Sequence, residues 1–137
     1  MKRWMIFGVV LLLFLLDSCE KEQDLMISLD EEVRVKLDRI YSIHPRLSFE
    51  VDQYNDSRCP RGMFCVWSGE AKVWIRIRQS MEVTTYTSQR RVLSTRGPRS
   101  FAHAGYRFEL VDLAPYPDAW KEYERSEIRV VLKINRL

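Results

Sequence analysis

Along most of this chain hydrophobic and polar residues alternate with a period of two. In Glu32-Val33-Arg34-Val35-Lys36-Leu37-Asp38, the residues Val33, Val35 and Leu37 fall on one side and the charges on the other, the pattern of a strand with one buried face. Leu47, Phe49 and Val51 repeat it, as do Val73, Ile75 and Ile77 set against Lys72, Trp74, Arg76 and Arg78. Further on, Tyr106, Phe108 and Leu110 alternate with Arg107, Glu109 and Val111, and Ile128, Val130, Leu132 and Ile134 with Arg129, Val131 and Lys133. Val83 to Thr87, rich in β-branched residues, predicts a shorter strand that pairs back on 71–78 through a turn near Gln79 to Glu82. Only Asp118 to Arg125 invites a helical turn or two.

Pro45, Pro60, Pro98, Pro115 and Pro117 all fall between these segments, where a residue without an amide proton breaks no ladder. Together the pattern predicts an all-β fold: a small antiparallel β-sandwich of about six or seven strands, with a small barrel as the alternative.

The N-terminus breaks the alternation. Ile6 to Leu16 form an apolar run interrupted only by Gly8 and preceded by Lys2 and Arg3. Such a run is shorter than a bilayer span and has the make-up of a signal peptide, expected as a helix that is removed on export. Leu16-Asp17-Ser18-Cys19 resembles a bacterial lipobox, with Asp17 at a position that usually carries a small or aliphatic residue. The resemblance implies cleavage before Cys19 and acyl chains on its thiol, a durable membrane anchor. Residues 1–18 are then the lipoprotein signal peptide, 19–30 the lipidated cysteine with a tether opened by the charged Glu20-Lys21-Glu22-Gln23-Asp24, and 31–137 one β-sandwich domain. Lipoproteins of this kind belong to the cell envelope, and the expected location is the outer membrane, on its periplasmic or surface face.

Net charge changes the picture little. The chain carries a formal +3, and loss of Lys2, Arg3 and Asp17 with the signal lowers it by one, too slight a charge to point to a nucleic-acid partner.

Cysteine usage says more. With Cys19 lipidated, Cys59 and Cys65 are the remaining pair in an exported domain, and an oxidising compartment favours a disulfide between them. A redox dithiol normally has two residues between its cysteines, and here there are five. Zinc asks for four ligands, which Cys59 and Cys65 with His44 and His103 offer only at spacings unlike a knuckle or ribbon. Around the pair, Asp56 and Ser57 can bond nearby amides, Pro60 fixes its own φ, Gly62 permits a positive φ, and Trp67 is expected to cover the disulfide.

The string Asp56-Ser57-Arg58-Cys59-Pro60, then Cys65-x-Trp67-x-Gly69-x-Ala71, resembles a group of small uncharacterised bacterial lipoproteins common in Bacteroidetes, whose usual alanine before the glycine is Ser68 here. The match is strongest over residues 51–78 and extends more weakly to Gly105 to Pro117 and the last strand. It implies an exported β-rich domain and brings no catalytic residues or cofactor with it.

Other chemistry is sparse. His44 and His103 read as loop residues without a nucleophile motif beside them, and no phosphate-cradling glycine loop or dinucleotide fingerprint occurs. Arg90, Arg91, Arg96 and Arg99 crowd what reads as one long loop, suited to anionic glycans, lipid headgroups or an acidic envelope protein. Trp120 and Tyr123 are candidate contact aromatics. The expected function is that of a lipid-anchored, non-enzymatic binding or structural module without a cofactor. The alternatives are a secreted β-sandwich protease inhibitor, with Met63 and Phe64 at the tip of the disulfide loop as its wedge, and a thiol-redox or metal-dependent enzyme using Cys59 and Cys65.

Overall fold

The computed structural model describes residues 25–82 and 85–137, without the side chains of 81–86. The expected signal peptide, Cys19 and the charged residues 20–24 lie outside the described residues. Among the described residues nine strands follow in order: β1 (Leu25–Met26), β2 (Glu32–Lys36), β3 (Ile40–His44), β4 (Leu47–Asp56), β5 (Ala71–Glu82), β6 (Thr85–Ser94), β7 (Ser100–His103), β8 (Tyr106–Ala114) and β9 (Arg129–Arg136). They form two sheets, ordered β1-β3-β4-β5-β6 and β2-β9-β8-β7. The sandwich expectation holds, with more strands than the alternation suggested, and the sheets do not close into a barrel. No described helix is long and apolar enough to cross a membrane.

The period-two residues become the core. Phe49, Val51, Val73, Ile75 and Ile77 from one sheet meet Phe108, Leu110, Val130, Leu132 and Ile134 from the other, all essentially inaccessible. Phe49 and Phe108 touch edge to face at 5.6 Å across the layers, and Phe101 stacks on Phe108 at 4.9 Å. Such pairs add to the burial of apolar area that drives the two sheets together.

Three expectations change. Residues 25–30 are docked rather than part of a tether: β1 pairs in parallel with β3, Ile27 N donates to Ser42 O, and Asp30 N donates to Ile134 O. Ile27 and Leu29 pack against the core, which repays their ordering. The hairpin of β5 and β6 runs past the expected turn, because β5 stays extended to Glu82. No helix forms over 118–124: Asp118 bridges to Arg61 and to Lys121 instead, and a 3-10 turn follows at Arg125–Glu127.

Strand directions sort the loops to two ends. Asp56 pairs with Ala71 at one end of the β4–β5 ladder and Leu47 with Gln79 at the other. The Asp56 end also receives the close of β8, where Ala114 pairs with Arg129. The cysteine motif therefore sits at one end of the sandwich, beside the 114–128 connection.

Candidate functional site

Residues 57–70 project from the β4–β5 hairpin as a stalked loop. Its stalk continues the ladder: Ser57 N donates to Glu70 O at 2.9 Å, and Cys59 N donates to Ser68 O at 3.0 Å. The Ser57 hydroxyl donates to Glu70 O and accepts from Glu70 N. Gly69, at φ +66°, lies so close to the opposite arm that a Cβ there would stand 1.7 Å from Ser57 O. Only glycine fits that approach. Above the stalk a disulfide joins Cys59 to Cys65, and Gly62 takes the positive φ expected of it, +82°.

Arg58 is the residue that sequence reasoning passed over. Its side chain is buried, and its Nε and Nη2 donate to Asp56 Oδ1 and Oδ2 at 2.8 and 2.6 Å. Nη1 donates to Asp112 Oδ1 at 2.9 Å and Nη2 also to Leu113 O at 2.6 Å, both on β8 of the other sheet. The Tyr116 ring lies under the guanidinium at 4.5 Å, and its hydroxyl donates to Cys59 O. Burial opposes the charge of Arg58, but the hydrogen bonds and charge of Asp56, with the charge of Asp112, hold its pKa above the ordinary guanidinium value. The signal in the sequence was its place inside the motif, between Asp56 and Cys59.

This bracing holds an apolar surface out in water. Phe64 and Val66 are fully exposed, Met63 and Trp67 more than half, and Trp120 88%. Trp120 belongs to the neighbouring connection, tied to the loop by Arg61 N donating to Pro117 O and Ala119 N donating to Arg61 O. Its indole nitrogen would stand 3.1 Å from a Cβ on Gly62. Trp67, expected over the disulfide, is 62% exposed to solvent, with the Arg96 guanidinium 5.9 Å over its ring. Isolated exposed apolar residues are ordinary, whereas several together on one rigid end mark a contact surface.

The expected arginine loop is divided. Arg90 and Arg91 lie on β6, and only Arg96 and Arg99 belong to the turn that leads into β7. Arg90 donates to Gln53 Oε1 at 2.7 Å, pairs with Asp52 and lies 5.9 Å from the Trp74 ring centre on the outer sheet face. Arg91 donates to Gln89, and Arg99 donates to Val111 O at 3.4 Å. Only Arg96 reaches the apolar end. Tyr123 packs against the core while Trp120 stays in solvent, so the two aromatics part company.

His44 and His103 end strands β3 and β7 rather than lying in loops. His103 Nε2 is buried without a hydrogen-bond partner, and burial, with the charge of Arg91, holds its pKa below the ordinary imidazole value. Among the described residues no three His, Cys, Asp or Glu side chains converge as metal ligands.

No protein-family model, curated protein or solved structure matches the chain.

Proposed function

We propose that this protein is a lipid-anchored component of the bacterial cell envelope, held in the outer membrane through Cys19, that acts by binding and not by catalysis. The observation that carries the reading is the rigid apolar end: Met63, Phe64, Val66, Trp67 and Trp120 stand exposed on a loop closed by the Cys59–Cys65 disulfide and pinned to both sheets by Arg58. Such an arrangement holds the backbone that carries the apolar side chains in place before contact, which reduces the entropy lost on binding. Both cysteines are consumed in the disulfide that shapes the loop, which favours a structural over a redox role for them.

Intact mass of the protein extracted from its native membrane, alkylated before and after reduction, tests the reading. The expected result is an acyl increment on Cys19, with Cys59 and Cys65 blocked until reduced. An unmodified Cys19, or freely alkylated Cys59 and Cys65, overturns it.

A second reading is favoured by one observation, the full exposure of Phe64 on a disulfide-closed loop. A protease cleft that accepts phenylalanine would take that side chain. Stoichiometric inhibition of a chymotrypsin-like protease, lost in Phe64→Asp, would support inhibition as the function.

A further inference from the structure

We infer that the disulfide end is a membrane-contacting surface, with Phe64, Val66, Trp67 and Trp120 seated in the interface of the same bilayer that holds the N-terminus. The inference rests on the lipid-anchored reading above and adds how the domain is oriented and what occupies its apolar end.

Chain direction is the first ground. β1 runs parallel to β3, with Leu25 opposite Tyr41 and Met26 opposite Ser42. β3 in turn runs away from the disulfide end, since Tyr41 pairs with Phe49 and His44 with Leu47, while Asp56 lies at the far end of β4. The chain therefore enters β1 from the side of the disulfide loop. Leu25, the first described residue, is the end of β1 that points toward the apolar surface.

Reach is the second. Cys19 is six residues before Leu25, so an extended chain carries it at most about 20 Å from that point. Phe49, level with Leu25 across β3, is seven residues short of Asp56, which at strand rise is also about 20 Å. A tether of that length brings the acylated residue about as far as the end of the sandwich and no farther. It cannot act as a stalk that lifts the loop away from the lipid.

Chemistry is the third. Tryptophan and phenylalanine favour the boundary between hydrocarbon and headgroup, where an apolar ring is buried and an indole N–H stays wet. Arg61 lies 5.4 Å from the Tyr116 ring and Arg96 5.9 Å from the Trp67 ring. Neither forms an ion pair within 4 Å among the described residues; Arg96 lies near enough to Glu70 to act on its charge, and the Arg61 guanidinium is the one best placed to meet lipid phosphate oxygens. A protein cleft would accept the same apolar side chains, but an anchor within about 20 Å of Leu25 leaves it little room between that surface and the bilayer.

The test is tryptophan fluorescence of the full-length protein, in a Trp4→Phe background, reconstituted in vesicles of brominated phosphatidylcholine. Trp67 and Trp120 are then the reporters, and Trp74, on the outer sheet face beneath Arg90, is the internal control. Emission is expected to be strongly quenched by the brominated chains. In the Trp67→Phe/Trp120→Phe variant the remaining Trp74 emission should be hardly quenched, and in Phe64→Asp/Val66→Asp the quenching of Trp67 should fall toward the Trp74 level. Trp67 and Trp120 left unquenched and open to iodide, in protein that floats with the vesicles, overturns the inference in favour of a protein partner. The mass of Cys19 in the same sample reads the anchor separately: quenched Trp67 with unacylated Cys19 retains the membrane contact and discards the lipid anchor. Acylated Cys19 with unquenched Trp67 does the reverse.

Discussion

Nη1 of Arg58 lies 2.9 Å from Oδ1 of Asp112, so a residue in the loop after β4 of one sheet is tied to a carboxylate on β8 of the other. The two partners of this guanidinium are not equivalent. The Asp56 side chain is 14% exposed and that of Asp112 is 54%. Arg58→Met leaves the Asp56 charge buried and unpaired and is expected to cost about 3 to 5 kcal/mol, whereas Asp112→Asn, at a half-exposed partner, costs about 1 kcal/mol or less. Urea unfolding of the two variants decides it. If Asp112→Asn proves the more damaging, Arg58 does not brace the loop through Asp56.

Removing the disulfide is expected to act on stability and on the shape of the loop alike. Cys59→Ser/Cys65→Ser lowers stability by about 2 kcal/mol, the chain entropy released by opening so short a ring. The stalk of Ser57, Cys59 and Glu70 keeps its backbone bonds. Thermal unfolding gives the first effect, and proteolytic cleavage confined to residues 60–66 reports the second. An unchanged midpoint with no new cleavage would contradict the role given to this bond.

Two glycines with positive φ are expected to respond differently to alanine. At Gly105, φ +81°, an added Cβ meets nothing within 4 Å, so Gly105→Ala carries only the left-handed penalty, about 1 to 2 kcal/mol. At Gly69 the same change also drives Cβ into Ser57 O, and the stalk must open. Gly69→Ala should therefore lose clearly more stability than Gly105→Ala in the same denaturant titration, and equal losses would show that the stalk gives way at little cost.

Two pH windows follow from groups whose pKa is depressed in the folded state. Burial and the charge of Arg91 keep His103 below the ordinary imidazole value. As pH falls below about 6.5, the unfolded chain takes up a proton that the folded chain resists, so stability declines there. His103→Gln should flatten that slope. Asp38 is held below the ordinary carboxylate value by hydrogen bonds and charge from Arg125, which donates to both its oxygens at 2.7 and 2.9 Å. Its contribution is present above about pH 4 and is lost as pH falls through the lower folded value. Asp38→Asn should soften the acid limb and leave the slope near pH 6.5 unchanged. A pH series of unfolding midpoints for both variants separates the windows.

Much of the core was legible because a buried strand face is a local, period-two property. Val73, Ile75 and Ile77, and likewise Val130, Leu132 and Ile134, are read as inward residues from the sequence and are inward in the fold. The disulfide too was legible, from cysteine count and compartment. The arginine group was misplaced because Arg90 and Arg91 continue a strand whose alternation is broken by polar residues near the sheet edge, where little apolar burial is required.

Strand faces, the β class and the Cys59–Cys65 closure could be read before any folding, since each follows from residue type and spacing within a short window. Tertiary structure alone decided which way the two ends of the ladders turn. A register shift between Val51 and Gln53 reverses the parity of β4, so that Asp56 stands level with buried Ala71. Another between Leu110 and Asp112 brings Leu113 inward and leaves Asp112 on the side where Arg58 waits. A bulge inserts one residue against a partner strand, so its position depends on the pairing of distant segments and leaves no period in either one. The apolar end is built on those two shifts, which is why its brace appears only once both sheets are assembled.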